Sequence, residues 1–279
     1  MIPARLHGRS HELLGRVAAI AEGRCAIAIS RGGARKTYHY KHANEDAAAF
    51  AIGAGGCLAA VADAHGGRDA SEIAVEALLR DAAAEWTAAS AEAVMADWQG
   101  RVHAAIEGVH DEILQAVARG AVQSSRTTLA FALARPGDDR IAVGAIGDSH
   151  AFALTADGPR DLAREADVAP AFLGGPADTA ERLRNRCVAA MHPLAATRAL
   201  VLVTDGLSEH GIGVESPEAA IAEAVERAAL EQPELRPLSA ARSVVEAALE
   251  AQVRNKAGDN IASAVVWLEE RARKSERSQ

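Results

Sequence analysis

CLAAVADAHGG, residues 57 to 67, joins an apolar run to an acid, a histidine and two glycines. The run is short and ends at a turn signal, so it predicts a buried strand. Asp63 would then lie at the strand's exit, and His65 is the residue type best suited to move a proton near neutral pH. A turn that holds Asp and Gly for structural reasons alone explains the stretch equally well. The other acids of the chain decide between these two interpretations.

The composition describes a globular chain of 279 residues, 49% hydrophobic but only 3% aromatic, so its core is built from Ala, Val, Leu and Ile. We expect one domain, because the sequence has no internal repeat and no Pro- or Ser-rich linker. The formal net charge of -8 argues against a nucleic-acid binder. No apolar run approaches the roughly 20 residues that span a bilayer, and no signal peptide is recognisable. Three cysteines without a CxxC pair indicate reduced thiols, so we expect a soluble, cytoplasmic protein.

Apolar runs predict strands, and apolar residues at helical spacing predict helices. The strands are expected at 25–30, 47–53, 57–62, 127–134, 140–146, 150–154, 199–204 and 261–268. The helices are expected at 70–86, 91–119 (with possible breaks at Gly100 and Gly108), 217–230 and 239–253, the last with Ser239 as its N-cap. Residues 1–22 show a modest helical pattern, 156–195 are irregular apart from a helix over 179–189, and the charged tail 269–279 is predicted to be disordered.

Four acids share one position relative to the predicted strands. Asp63, Asp148 and Asp205 each follow a buried strand, and Asp259 precedes one. Carboxylates that gather at strand ends repel one another unless cations lie between them. Oxygen ligands without a His or Cys set favour Mg2+ or Mn2+ over zinc. Each Asp-Gly alone is more often a structural turn, so the evidence is the ordered set of four.

The ordered motifs resemble those of the PP2C (PPM-type) family of metal-dependent protein serine/threonine phosphatases. The matching segments are Asn44-Glu45-Asp46, Val61 to Gly67, Thr127-Thr128, Gly147-Asp148-Ser149, Thr204 to Leu207 and Gly258-Asp259-Asn260. The resemblance implies an α+β fold, a four-layer α-β-β-α sandwich of two antiparallel sheets flanked by helices. It places the phosphatase domain at residues 23–268, after an N-terminal extension (1–22) and before a C-terminal tail (269–279).

The resemblance also implies a ligand set for two divalent ions, Mg2+ or Mn2+, and for a weaker third. Asp63 would bridge the two ions, Asp205 and Asp259 would complete the first site, and Asp148 with Asp205 would form the third. The second ion would take Glu45 and the backbone carbonyl of Ala64, with Asp46 as a ligand through water or a support. Asn260 would support these ligands.

The implied reaction is hydrolysis of phosphoserine or phosphothreonine in a protein by a metal-activated water. His65 resembles the general acid that protonates the leaving oxygen, although a structural turn histidine is the alternative. Lys41 stands where the family has a phosphate-binding arginine, and His42, Arg35 or Lys36 could assist it. Ala64 replaces the usual glycine, which matters only if the backbone there needs positive φ.

Two other functions stay open at this point. The first is a catalytically weak or inactive PP2C-like protein that binds phosphoproteins as a regulator, which the departures at Lys41 and Ala64 would favour. The second is a metal-dependent phosphoesterase that acts on a small molecule. For the phosphatase, the expected partner is a phosphorylated protein, with no nucleic acid and no membrane, and the expected state is a monomer.

Overall fold

The apolar runs of the sequence form the strands of two antiparallel sheets. The structure is a computed structural model that describes residues 1–37, 40–90, 92–163, 171–195 and 197–268. The strands are β1 Ile2–His7, β2 Val17–Glu22, β3 Cys25–Ser30, β4 Asp46–Ile52, β5 Cys57–His65, β6 Arg126–Thr127, β7 Leu129–Arg135, β8 Arg140–Ile146, β9 His150–Thr155, β10 Gly158–Asp161, β11 Val188–Pro193, β12 Thr197–Val203 and β13 Ile261–Trp267.

The helices are α1 Asp69–Asp81, α2 Ala83–Trp86, α3 Glu92–Ala96, α4 Trp98–Ala118, α5 Ala180–Arg184, α6 Pro217–Ala229 and α7 Arg236–Asn255. Short 3-10 turns cover Gly8–Ser10 and Asp205–Leu207. The first sheet has the strand order β1-β4-β5-β7-β8-β11, with β6 paired to the end of β5. The second sheet has the order β10-β9-β12-β13-β3-β2.

Three apolar clusters separate four layers, which confirms the predicted α-β-β-α sandwich. In β5, Leu58 and Ala60 pack towards α1 and α4, whereas Ala59 and Val61 lie in the cluster between the two sheets. This alternation follows from the strand, whose successive side chains point to opposite faces. On the second sheet, Leu200 and Leu202 of β12 face the first sheet, and Ala199 and Val201 pack with α6 and α7. Alanine-rich strands therefore bury both of their faces without large aromatic side chains.

The helical pattern predicted over residues 1–22 is wrong. Ile2–His7 pairs with β4 at the edge of the first sheet, and Val17–Glu22 pairs with β3 at the edge of the second. Both are outer strands with partly exposed residues. Ile2–His7 lacks a continuous apolar run, and the short run at the start of Val17–Glu22 was interpreted as part of a helical pattern. The two sheets thus begin before residue 23, where we expected the domain to start.

Two helix boundaries also differ from the expectation. The long helical region is interrupted at Asp97, which caps α4 by accepting a hydrogen bond from the Gly100 amide, and not at Gly100 or Gly108. Helix α7 begins at Arg236, with proline in its first turn, so Ser239 is a helical residue and not the N-cap.

The segment predicted to be irregular contains more structure than we expected. Gly158–Asp161 pairs with β9, Val188–Pro193 pairs with β8, and the helix covers only Ala180–Arg184. Residues 164–170 and the tail 269–279 lie outside the described residues. Cys25 and Cys57 are buried, and Cys187 is partly exposed. Within the described residues, no helix is long and apolar enough to cross a membrane.

Candidate active site

The acids singled out in the sequence meet at one end of the sandwich, where strands of both sheets end. Asp46 and Asp63 are direct partners in the pairing of β4 with β5. Asp205 opens the turn after β12, and Asp148 lies between β8 and β9. Carboxylate oxygens of Asp63, Asp148 and Asp205 all lie within 4.8 Å of one another. Chain segments distant in sequence therefore gather at least three acids around a common point.

Asp63 lies inside its strand and not at the exit where the sequence placed it. The strand continues to His65 because Ala64 and His65 pair with Thr127 and Arg126 of β6. The Thr127 hydroxyl and the Thr128 amide both donate to the Asp63 carbonyl, at 2.8 and 2.9 Å. The Thr128 hydroxyl accepts from the Asp63 amide at 3.0 Å. The threonine pair thus fixes the backbone from which the central carboxylate projects.

Glycine beside the acids allows backbones to approach one another. A Cβ at Gly206 would lie 1.8 Å from the Asn260 carbonyl oxygen, which is too close for any side chain. A Cβ at Gly147 would lie 2.5 Å from Thr128 Cγ2, and its φ of +101° favours glycine. Asp205 and Asp148 are therefore brought to the site by glycines that pack directly against the neighbouring segments.

The buried acids destabilise one another's charged forms. Burial, followed by the charges of Asp205, Asp46 and Asp259, raises the pKa of Asp63 well above its usual range. Burial and then the charge of Asp259 raise the pKa of Asp205 well above its usual range and that of Asp46 to about 7. A group of carboxylates with raised pKa values is stabilised when a cation enters it.

The oxygen donors fit the divalent ions that the sequence implied. Besides the three oxygens within 4.8 Å of one another, Asp46 Oδ1 is buried without a hydrogen-bond partner. The adjacent Asp63 carboxyl can donate a hydrogen bond to Asp46 Oδ1 only when Asp63 is protonated. Carboxylate oxygens of this kind are the ligands that Mg2+ and Mn2+ prefer. Ala64 does not have the positive φ that would make its side chain a strain, since Asp139 and Lys256 are the non-glycine residues with positive φ in the described chain.

Glu45 is buried beside the cluster on a braced loop. Its carboxylate accepts from the backbone amides of Lys41 and His42, at 3.3 and 3.0 Å. Its own amide donates to Asn260 Oδ1 at 2.9 Å, and Asn260 Nδ2 donates to the carbonyls of Arg31 and Ala43. Asn260 therefore holds the loop that carries Glu45.

Lys36 is a cation that reaches the carboxylates. Its Nζ lies 2.8 Å from Asp259 Oδ1, and the two side chains are only 5% and 7% exposed. Burial alone lowers the pKa of Lys36, but the charges of Asp259, Asp63 and Asp46 outweigh it and raise that pKa. Lys41, in contrast, is exposed, and its Cδ lies beside Gly67. We call Lys36, Asp46 and Asp259 the lysine side of the site.

Asp148 and Asp205 form the other side, which we call the open side, and Asp63 belongs to both. A chain of three side chains supports it: His150 Nδ1 is 2.7 Å from Asp161 Oδ2, and His150 Nε2 is 2.7 Å from Ser208 Oγ. Ser208 closes the turn that Asp205 opens, because its amide donates to the Asp205 carbonyl at 2.7 Å. Sequence analysis missed this chain, whose members carry no local motif.

His65 lies next to the central acid, with Nδ1 3.7 Å from Asp63 Oδ2 and its side chain 36% exposed. Its ring packs edge-on against Phe172, with 5.0 Å between centroids, and the Arg126 guanidinium lies 4.5 Å from the centre of the same Phe172 ring. Burial lowers the pKa of His65, although the charge of Asp148 opposes this. The imidazole is thus placed within reach of a group bound at the carboxylates.

The sequence of residues 33–254 matches the family model described as protein phosphatase 2C. The chain belongs to this family. Its members are metal-dependent serine/threonine phosphatases, which is the activity that the motifs implied. The match covers most of the chain, including the acids from Glu45 to Asp205. No curated protein matches the sequence.

Solved structures of bacterial phosphatases share the fold of this PP2C chain. The Mycobacterium tuberculosis serine/threonine phosphatase PstP/Ppp is 22% identical, with a TM-score of 0.60, and the match covers 91% of this chain and 98% of that one. The serine/threonine phosphatase Stp1 from Staphylococcus aureus is 16% identical, with a TM-score of 0.62 and coverages of 95% and 100%. The PstP catalytic domain solved with two manganese ions is 20% identical, with a TM-score of 0.60 and coverages of 90% and 99%.

Proposed function

We propose that this PP2C chain hydrolyses phosphoserine and phosphothreonine in proteins with two divalent ions, Mg2+ or Mn2+, and a third held more weakly. The observation that carries the proposal is the gathering of Asp63, Asp148 and Asp205 within 4.8 Å at the end of the sandwich. A PstP domain of the same fold was solved with two manganese ions, which supports the same number here. Bound ions of this kind lower the pKa of a water and neutralise charge on the phosphoryl oxygens.

The ligand assignment is part of the proposal. Asp63 would bridge two ions, with Asp205 and Asp259 on the first and the Ala64 carbonyl on the second. Glu45 would complete the second site, and Asp46 would be a ligand through water or a support. Asp148 and Asp205, on the open side, would hold the third ion. The burial and raised pKa values of Asp46, Asp63 and Asp205 support these roles, because such acids gain most from a bound cation.

His65 would donate a proton to the serine or threonine oxygen as it leaves. An alkoxide is a poor leaving group, so protonation in the transition state lowers the barrier. The position of His65 beside Asp63, with part of the ring exposed, supports this role. Its lowered pKa makes the protonated form a minor one at neutral pH, so only a fraction of the enzyme is ready to donate.

The substrate phosphate would meet a cation at the rim of the site. Lys41 stays our prediction for this contact, since it is exposed and flanks Gly67, close to His65 in the chain. The partner would be a phosphorylated protein, met by a monomer in the cytoplasm without nucleic acid or membrane. Size measurement in solution and cell fractionation test these last expectations.

The test is hydrolysis of a phosphothreonine peptide by the wild type and by Asp205→Asn. We expect phosphate release with Mn2+ or Mg2+, loss of release in EDTA, and loss in the variant. Titration with each ion shows which one supports turnover at lower concentration. Mn2+ binding without any release of phosphate would contradict the proposal and support the non-catalytic, phosphoprotein-binding alternative. Faster hydrolysis of small phosphate esters than of the peptide would support the small-molecule alternative.

A further inference from the structure

Lys36 places an ammonium group among the predicted metal ligands. Its Nζ lies 2.8 Å from Asp259 Oδ1, and both side chains are almost fully buried. An ion that binds this oxygen has the same sign of charge as the ammonium, and the two need the same acceptor. In a buried site like charges repel strongly, because little water screens them. Lys36 and a divalent ion at Asp259 therefore oppose each other.

Backbone contacts hold the segment that carries Lys36 close to the segment that carries Asp259. The Gly258 amide donates to the Arg35 carbonyl at 3.0 Å, which joins the Lys36 segment to the residue before Asp259. A Cβ at Gly258 would lie 1.8 Å from the Ala34 carbonyl oxygen, so only glycine permits this approach. The contact between Lys36 and Asp259 thus follows from how two chain segments pack.

A second tie links the same segment to the open side. Gln252 Oε1 accepts from the Gly33 amide at 2.7 Å, and Gln252 Nε2 donates to the Gly206 carbonyl at 3.2 Å. Gln252 is fully buried in α7 and bridges the loop before Lys36 to the residue after Asp205. The lysine segment and the Asp205 turn are therefore parts of one braced structure.

We propose that Lys36 is a tethered counter-ion that competes with the divalent ion at Asp259. Its ammonium neutralises the acids of the lysine side until an ion displaces it, which weakens binding there and delays filling of the first site. The open side faces no such competitor among the contacts described above. This inference rests on the proposed function, since it assumes that Asp259 is a metal ligand.

The test measures Mn2+ binding to EDTA-treated protein by isothermal titration calorimetry. Lys36→Met removes the ammonium and keeps a chain of similar length, whereas Lys36→Arg keeps the positive charge. Arg35→Met, at the exposed neighbouring residue, is the matched control for net charge. We expect Lys36→Met to bind Mn2+ at the first site, which includes Asp259, about ten-fold more tightly or more. Lys36→Arg should stay within about two-fold of the wild type because it keeps the positive charge. Arg35→Met should also stay within about two-fold, because solvent screens the effect of an exposed charge.

Thermal unfolding in EDTA gives a second readout. Without its counter-ion, the Lys36→Met protein should unfold at a lower temperature than the wild type and gain more from added Mn2+. If Lys36→Met does not fold in EDTA, Lys36→Gln, which can still donate to Asp259, supplies the affinity measurement. Unfolding only when both Lys36 and Mn2+ are removed supports the counter-ion role.

Three results would overturn the proposal in distinguishable ways. Equal or weaker Mn2+ binding by a folded Lys36→Met protein would show that Lys36 does not compete. Tighter binding by Arg35→Met as well would assign the effect to net charge. Absence of Mn2+ binding by every variant and by the wild type would overturn the metal site itself, and with it the proposed function.

Discussion

The lysine side and the open side use the same kind of residue but differ in what balances its charge. On the lysine side, a buried ammonium lies against Asp259, and the Thr204 hydroxyl donates to Asp46 at 2.8 Å. On the open side, carboxylate oxygens of Asp148 and Asp205 lie within 4.8 Å of an Asp63 oxygen. His150 forms a hydrogen bond with Ser208 in the turn that begins at Asp205. Acids of the same kind can therefore have a lysine of the chain as their counter-ion in one half of a site and remain available for a bound cation in the other half.

The largest effect is expected where both sides meet. Asp63→Asn keeps the size of the side chain and removes the carboxylate that the two sides share. We expect phosphopeptide hydrolysis to fall about a thousand-fold, the upper range for loss of one key electrostatic group. Steady-state rates and Mn2+ titration of the same preparation measure it. A variant that keeps a tenth of the wild-type rate would show that the two sides work independently.

His65 gives the next largest effect, and its size should depend on the leaving group. We expect His65→Gln to slow phosphopeptide hydrolysis about a hundred-fold or more, within the usual range for general acid catalysis. Hydrolysis of p-nitrophenyl phosphate should change far less, because nitrophenolate leaves without a proton. Comparison of kcat for the two substrates measures the difference. Equal losses on both substrates would assign His65 a structural role beside Asp63.

His150 should affect the open side more than the lysine side. His150→Gln breaks the chain from Asp161 to Ser208, and so loosens the turn that presents Asp205. We expect Mn2+ binding at the open side to weaken about ten-fold, the lower end of the effect of losing a partner of a metal ligand. His103→Gln, on helix α4, serves as the control. Weakening on the lysine side, with the open side unchanged, would reverse the assignment.

The smallest effect is a pH dependence of the lysine side. Asp46 has a pKa of about 7 in the folded protein against 3.8 as its ordinary value, so between these pH values the folded state binds a proton that the unfolded state releases. The free energy of unfolding attributable to Asp46 should therefore decline as pH rises through this window and level off above it. Urea unfolding in EDTA, as the difference between the wild type and Asp46→Asn, measures it. A difference that grows more favourable to the wild type as pH rises would contradict the account.

The sequence predicted the inner strands and the acids because both carry local signals. Runs such as Leu200 to Val203 are apolar on both faces, and Asp205-Gly206 marks a turn at their end. The outer strands Ile2–His7 and Val188–Pro193 are partly exposed and were missed. Ile2–His7 lacks an apolar run, and the short run at the start of Val188–Pro193 overlaps the helix predicted over 179–189. Their identity depends on which strand they pair with, and a local pattern does not contain that information.

The partners of the acids were harder to predict than the acids themselves. Lys36 meets Asp259 across most of the chain, whereas the sequence suggested it only as an aid to Lys41 in binding phosphate. The chain from Asp161 through His150 to Ser208 joins a strand, its neighbour and a turn far along the sequence. These contacts are set by the packing of two sheets, so a family motif recovers the ligands but not the residues that balance or position them.

The most direct measurement is anomalous diffraction at the manganese edge from crystals of the wild type and Lys36→Met grown with limiting Mn2+. The account predicts a manganese peak among Asp63, Asp205 and Asp259 in both proteins. At the same limiting concentration, the peak beside Asp259 should be stronger in Lys36→Met than in the wild type. Absence of manganese from Asp63 in both crystals would contradict the metal site, and equal occupancy at Asp259 would contradict the role of Lys36.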